Sequence, residues 1–454
     1  MLRGTHRLLI AIGLVGSLIL PLGLLSCSPD CAAGKPRGVI LLIGDGMGIS
    51  QITFARRFLL EEGQRFHFES LPQTALVTTY SASNPVTDSA AAATAFAAGV
   101  KTTNKYIGVD PQGQPVRSLA ERAKAAGWEI GLVTSTTVTH ATPAAFYAHV
   151  QDRYAEGDRI GEQLLEMAPE VVLGGGYADL IPGKEGGKRA DDRNLVKEAE
   201  AAGYTVLRFG DALPSPLPQR TLGLFGESYL TYVLDDRRLP EEYRSPSLRS
   251  LAESALERLD QGGKPYFLMI EGGRIDHAGH DFDAAGIAYE TQAFDDAIAA
   301  VLEYQRKHPD VLVIVTADHA TGGLAINDFA DWPLLHQQKA SIAWITSQVR
   351  DEHEGVERVR EITGIADITE EEVESLSIRQ IPTTYDANRA LGTIVSRRTG
   401  ITWLPKVDGL ETGGHTGEDV ALYAGGPGAE RFQGVLDQTD IPARLAELMA
   451  LPAP

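Results

Sequence analysis

The sequence predicts an α/β fold, with a mostly parallel central sheet, helices on both faces and an inserted cap region. Three observations carry this. Short apolar or β-branched runs alternate with helical patterns. Each run ends in a turn rich in Gly or small polar residues. The chain has 454 residues, 43% of them hydrophobic, enough to fill one large core.

Arg3, His6 and Arg7 precede an uncharged stretch over residues 8–25, the pattern of an export signal. The stretch ends Leu24-Leu25-Ser26-Cys27, which resembles a bacterial lipobox, with cleavage before Cys27 and acylation of that Cys. A lipoprotein-type leader over 1–26 and a linker over 27–36 follow from this. An uncleaved anchor is the alternative, because a spanning helix needs roughly 20 apolar residues. Either way the body is exported, to the periplasm or cell envelope. Cys31 receives no role.

Residues 39–43, 75–79, 130–134, 171–173, 266–270 and 311–316 read as buried strands. Residues 118–126, 192–202, 247–259 and 282–304 read as helices. A further helix is expected from Ala144 and Ala145 to Arg153. The alternation breaks over about 327–410, read as a cap inserted in a catalytic domain spanning 37–454. Thr369 with Glu372 forms a capping box inside it.

Lys and Arg number 41 against 61 Asp and Glu, a net charge of −20. That makes the chain a poor candidate for sequence-independent nucleic-acid binding, and no nucleic-acid surface is expected. The only two Cys, Cys27 and Cys31, exclude a disulfide scaffold and a Cys-ligated metal in the body.

Ligands of such folds sit beyond the carboxyl ends of the strands, and there the chemistry gathers. The first strand runs into Gly44-Asp45-Gly46-Met47-Gly48. Thr87-Asp88-Ser89-Ala90 opens an Ala-rich run, placing Ser89 at a helix N-terminus that favours an anion. Taken alone, Asp88 and Ser89 also read as a simple cap. Thr139-His140-Ala141-Thr142-Pro143 follows the strand at 130–134. Arg153 is a planar donor suited to two phosphate oxygens. Glu271, Asp276, His277 and His280 crowd the exit of the strand at 266–270, with Asp276 and His280 on one helical face. Asp318-His319 closes the strand at 311–316, and Gly413-Gly414-His415-Thr416-Gly417 adds one more imidazole. Five of the 11 His lie in these strand-end motifs. Asp45, Asp276, Asp318, His280, His319 and His415 supply the donor set of two zinc ions. Paired ions with Ser89 between them and Arg153 as an oxygen clamp suit phosphoryl transfer.

These stretches closely resemble alkaline phosphatases, in family order over nearly the whole mature chain. The resemblance implies a usually dimeric, extracytoplasmic hydrolase of phosphate monoesters, working at alkaline pH through a phosphoserine. It implies a first zinc on Asp276, His280 and His415, and a second on Asp45, Asp318 and His319. It implies Ser89 as nucleophile, magnesium on Asp45, Thr142 and Glu271, and Arg153 on the phosphate. His140 stands where the best-known enterobacterial enzyme has Asp, and His277 where it has Lys. The third site is thus open to another divalent metal, with His140 as its neighbour, and His277 is placed to orient a water or the phosphate.

Two rivals stay open at this point. A phosphodiesterase of the same superfamily would use the same metals, typically with Thr as nucleophile. A non-catalytic phosphate- or metal-binding lipoprotein would not need Ser89. A sulfatase is disfavoured, since Pro and Arg do not follow Ser89 closely.

Overall fold

The computed structural model describes residues 35–352, 354–405 and 409–452. The leader and most of the linker read from the sequence lie outside the described residues. Among the described residues, ten strands form one sheet: β1 (Gly38–Gly44), β2 (Gln73–Thr78), β3 (Glu129–Thr137), β4 (Val171–Gly175), β5 (Thr205–Arg208), β6 (Thr221–Leu224), β7 (Tyr266–Glu271), β8 (Val311–Ala317), β9 (Val420–Gly425) and β10 (Gly434–Asp437). Their order is β10-β2-β9-β8-β1-β7-β3-β4-β6-β5. Only β9 runs against the rest, antiparallel to both β2 and β8. Every residue of β1, β3, β4, β7 and β8 is buried. Successive side chains point to opposite faces, so both faces of the centre are covered.

The helices that bear on the site are α1 (Ile49–Leu59), α2 (Ser89–Ala98), α3 (Leu119–Ala125), α4 (Leu248–Gln261), α5 (Arg274–His280), α6 (Ala284–Lys307) and α7 (Thr384–Thr399). Helices α1 and α4 pack on α6, while α2 packs on a short helix at Ala141–Ala144. The helix expected to run on to Arg153 is not formed. It stops at Ala144, and the next helix begins at Gly157. Arg153 sits in the turn between them, its N–H spent on Lys105 O at 3.1 Å. Asp152 fixes that turn by accepting the N–H groups of Tyr154 and Ala155.

Residues 340–395 hold a second hydrophobic core, built on Ile342, Ile345, Val359, Ile362, Ile368, Leu376 and Leu391. The Thr369–Glu372 capping box is formed there. Three acids on the main body hold this region. Asp235 accepts Ser341 N–H at 2.7 Å, and Asp281 accepts the Asn388 amide at 3.0 Å. Asp283 accepts Gly286 N–H, capping α6, and also the Gln338 amide and Ile342 N–H, each at 2.8 Å. Burial pushes the Asp283 pKa up to about 7, so part of this gain is offset. Asp283→Ala removes a cap and leaves two buried donors unpaired. The expected loss is about 2–4 kcal/mol of stability in urea unfolding; a loss within about 0.5 kcal/mol, the size of a neutral surface change, would contradict this.

Candidate metal centre and active-site cleft

Four neighbouring strands deliver the site. Register sets Gly44 of β1 beside Ala317 of β8, so Asp45 and Asp318 leave the sheet side by side. Ile43 pairs with Glu271 of β7, and Glu271 with Thr134 of β3. The turn after β1 depends on Gly46, whose φ is +71° and where a Cβ would lie 2.7 Å from Asp276 Cα. A two-residue ribbon pairs His415 with Thr321, which brings His415 next to His319; their rings stack at 3.7 Å.

Asp45, Glu271 and Asp318 are fully buried, and Asp276 is 4% exposed. Burial, then Asp318, Asp276 and Glu271, push the Asp45 carboxyl well above its usual range. Asp276 goes the other way: burial opposes ionisation, but His280, His415 and His319 hold it well below. Both oxygens of Asp45, Oδ2 of Asp318, Oε1 of Glu271 and Oγ1 of Thr142 are buried without a hydrogen-bond partner. Orphaned buried acceptors in one place are expensive, and cations would satisfy them. Among the described residues three groups have ligand atoms within 4.8 Å of one another: Asp276/His319/His415, Asp45/Asp318/His319 and Asp45/His140/Glu271. They share His319 and Asp45, so they form one continuous string. His280 joins its end, with Nε2 3.1 Å from His415 Nε2 and 3.3 Å from Asp276 Oδ2. The mixture of imidazole and carboxylate suits zinc. The Glu271 end, with the Thr142 hydroxyl, suits a harder ion.

Hydrogen bonds fix which imidazole nitrogen is bare. His415 Nδ1 lies 3.0 Å from Thr87 O, a carbonyl that only accepts, so Nδ1 carries the hydrogen. Thr321 spends its hydroxyl hydrogen on Asp276 Oδ1, so at 3.2 Å it accepts from His319 Nδ1. Both rings thus turn a bare Nε2 to the carboxylates in their neutral forms. Burial and His319 keep His415 well below its usual pKa. Burial opposes charge on His319 as well, but Asp318 and Asp276 raise it, a pull towards positive charge that a cation would answer.

His140 is arranged differently. Arg153 Nη2 donates to His140 Nε2 at 2.8 Å, so in the neutral ring the hydrogen sits on Nδ1. That nitrogen is 3.7 Å from Glu271 and 4.0 Å from Asp45. His140 therefore faces the third group with a donor rather than a lone pair. Arg274 likewise donates to His277 Nδ1 at 2.6 Å, leaving the hydrogen on Nε2. Burial, then Arg274 and His140, keep His277 well below its usual pKa and so neutral.

Ser89 opens α2 and its Oγ lies 3.2 Å from His319 Nε2. Asp88 caps that helix through Ala91 N–H at 2.9 Å, and its other oxygen accepts Lys105 N–H at 3.0 Å. Arg153 Nη1 lies 3.9 Å from Asp88. Burial opposes its charge, but Tyr154, Asp88, Asp45 and Asp276 outweigh that and raise its pKa further. A cleft of about 780 Å³ opens over Ser89, Arg153, His140, His277, His280 and His415.

The fold thus gathers all the candidate residues. Sequence reading missed Lys105, held at φ +74° between Asp88 and Arg153, and Thr134, which donates to Glu271. It also missed Arg274 and Thr321, which lie inside the strand-end motifs but carried no assigned role, and Tyr385 and Arg389, which sit in no strand-end motif at all.

The sequence profile of the alkaline phosphatase family matches residues 36–451. Alkaline phosphatase 4 of Bacillus subtilis (strain 168) is 36% identical over 421 residues, covering 89% of this chain and 87% of that protein. The solved cold-active alkaline phosphatase of the psychrophile Shewanella sp. superposes with a TM-score of 0.77 at 34% identity, covering 92% of this chain and 100% of that one. A His-to-Asp variant of TAB5 alkaline phosphatase, with magnesium bound in the site called M3, superposes with a TM-score of 0.68 at 26% identity, covering 93% and 100%.

Proposed function

Because the chain belongs to the alkaline phosphatase family and hydrolyses phosphate monoesters, we propose that it does so through a phosphoserine on Ser89 at a site of two zinc ions and one magnesium. The observation that carries this reading is the string of buried carboxylates and imidazoles, with both Asp45 oxygens, Asp318 Oδ2 and Glu271 Oε1 unpartnered and Ser89 Oγ 3.2 Å from the shared His319. The first zinc would be held by Asp276, His280 and His415, the second by Asp45, Asp318 and His319. Magnesium would be held by Asp45, Thr142 and Glu271. When bound, such ions supply positive charge to the entering and leaving oxygens and lower the pKa of a hydroxyl or water.

Ser89 Oγ forms a bond to phosphorus as the ester P–O bond breaks, and the hydroxyl proton ends on the departing alcohol. Water then forms the new bond, Ser89–phosphorus breaks, and one water hydrogen returns to Ser89 as inorganic phosphate leaves. Arg153 offers two N–H groups to the phosphoryl oxygens. The free amides at the start of α2 add to that pull. Neutral His277 keeps an N–H for a water or the phosphate without adding charge. Turnover of para-nitrophenyl phosphate should far exceed that of the bis ester and of para-nitrophenyl sulfate. A faster bis ester would favour a diesterase.

At the third site His140 presents a hydrogen, which opposes a cation. His140→Asp replaces it with an anionic oxygen and should tighten magnesium by about ten-fold or more, given the 10–100-fold leverage of residues around a metal. Magnesium titrations of activity at matched zinc, for wild type, His140→Asp and His277→Lys, test it. Identical midpoints would remove these positions from control of the third metal.

We further propose an exported lipoprotein acylated on Cys27 that works as a homodimer. Among the described residues no helix is long and apolar enough to cross a membrane. Leu76 on β2 and Val435 on the edge strand β10 pair in register and stay exposed, an apolar spot suited to a second copy. The mass of the N-terminal peptide and light scattering of the purified protein test the two; a first residue beyond Cys27, or a monomer, would contradict them.

A further inference from the structure

The helix α7, carried by the region with its own core, reaches back to the metal centre. We infer that Tyr385 and Arg389 on α7 are positioning residues that fix the hydrogen of His280 on Nδ1 and so hold its Nε2 ready for zinc. This rests on the reading of His280 as a zinc ligand.

The Tyr385 hydroxyl lies 2.7 Å from Gly413 O. A carbonyl oxygen only accepts, so the single hydroxyl hydrogen is spent there. The 3.3 Å contact between that hydroxyl and His280 Nδ1 therefore has the imidazole as donor. Arg389 Nη1 donates to the same hydroxyl and to Gly413 O, each at 3.2 Å. The hydroxyl oxygen is then fully used: one hydrogen given and two received. His280 is left with a bare Nε2 pointing at Asp276 and His415.

Arg389 is an unusual residue to keep in this place. It is 8% exposed, lies over the Phe282 ring at 4.4 Å and has no acid partner among the described residues. Its Nε and Nη2 are buried without an acceptor. A buried cation without a counter-charge is costly. What its remaining nitrogen holds is the Tyr385 hydroxyl and the carbonyl of Gly413, two residues before His415. The pair thus touches both imidazoles of one zinc site: His280 through the hydroxyl, and His415 through the loop that carries it. His415 and His319 take their tautomers from groups near their own strands. His280 takes its tautomer from α7, which packs into the second core, so loosening of that helix should loosen one zinc ion and spare the other.

The test uses the full-length zinc-loaded protein, with zinc transfer to a chromophoric chelator as the readout. Tyr385→Phe keeps the ring and removes only the hydroxyl. One of the two zinc ions should bind about 10–100-fold more weakly, the range measured for groups that orient ligands. The melting temperature of the zinc-saturated protein should stay unchanged, and excess zinc should restore kcat. Arg389→Met should show the same selective loss. Thr383→Ala, which weakens the N-cap of α7 without touching the ligands, should give a smaller zinc effect than Tyr385→Phe. Wild-type zinc retention in Tyr385→Phe, while His280→Ala loses one ion, would overturn the positioning role and leave the ligand reading intact. Retention of both ions by His280→Ala would overturn the ligand reading and this inference with it.

Discussion

Ser89→Ala should leave a folded, metal-loaded protein whose kcat has fallen by on the order of 10³-fold or more. Ser89 is 3% exposed and opens a helix that is otherwise almost all Ala. Alanine is the best helix former, and the cap is made by Asp88, not by Ser89. The substitution therefore deletes one oxygen and little else. On the proposed mechanism, what remains would be the cations and Arg153, which would hold phosphate and orient a water but offer no group for covalent transfer. Zinc per chain should equal that of the wild type, and KM should change far less than kcat. Retention of most of the turnover would remove Ser89 from the chemistry.

Asp318→Asn should separate two effects that usually move together. Oδ1 of Asp318 accepts Gly46 N–H at 3.0 Å and its neighbour His319 N–H at 2.8 Å, and an amide oxygen can keep both. The lost group is the charge and the unpartnered Oδ2. With one carboxylate gone from the Asp45/Asp318/His319 group, zinc should fall towards one ion per chain and activity by about 100-fold or more, beyond the effect of an indirect ligand contact. Stability of the chelated protein should move the other way. In the metal-free wild type the Asp45 pKa is raised by burial and, next, by Asp318. A carboxyl whose folded pKa lies above its unfolded value holds more protons when folded. Stability then falls as pH climbs from the usual carboxylate range towards the raised value. Removing the Asp318 charge relieves part of this, so near neutral pH chelated Asp318→Asn should melt above the chelated wild type. The zinc-loaded forms should rank in the opposite order. A variant with full zinc and full activity, or one that melts below the chelated wild type, would contradict this.

Much of the frame is legible because its strands are buried on both faces. β1, β3, β7 and β8 are runs such as Val39-Ile40-Leu41-Leu42-Ile43, which read as strands without any partner in view. The missed strands lack that signal. β5 and β10 are edge strands whose residues are mostly exposed or half-buried. β6 has four residues with Gly223 among them, and β9 follows directly on the polar run after His415. The candidate ligands are legible for a related reason. Acids and imidazoles at the ends of apolar strands have no structural purpose there, so Asp45, Glu271, Asp276, Asp318 and His319 stand out. Arg153 was legible as a residue but not in its setting, because a turn held by Lys105 and Asp152 replaces the expected helix. Tyr385 and Arg389 lie on an ordinary amphipathic helix about a hundred residues from His280, and only the tertiary fold brings them to it.

The central claim is a covalent phosphoserine, and trapping it is the most direct measurement. The zinc-loaded protein would be mixed with para-nitrophenyl phosphate, quenched in acid within the first turnovers, digested and mapped by mass spectrometry. The expected result is one phosphate per active site on the peptide that contains Thr87-Asp88-Ser89-Ala90, with the phosphoryl group on Ser89 and none in Ser89→Ala. Phosphate on another residue, or turnover at the full rate with no phosphopeptide at any quench time, would contradict the account.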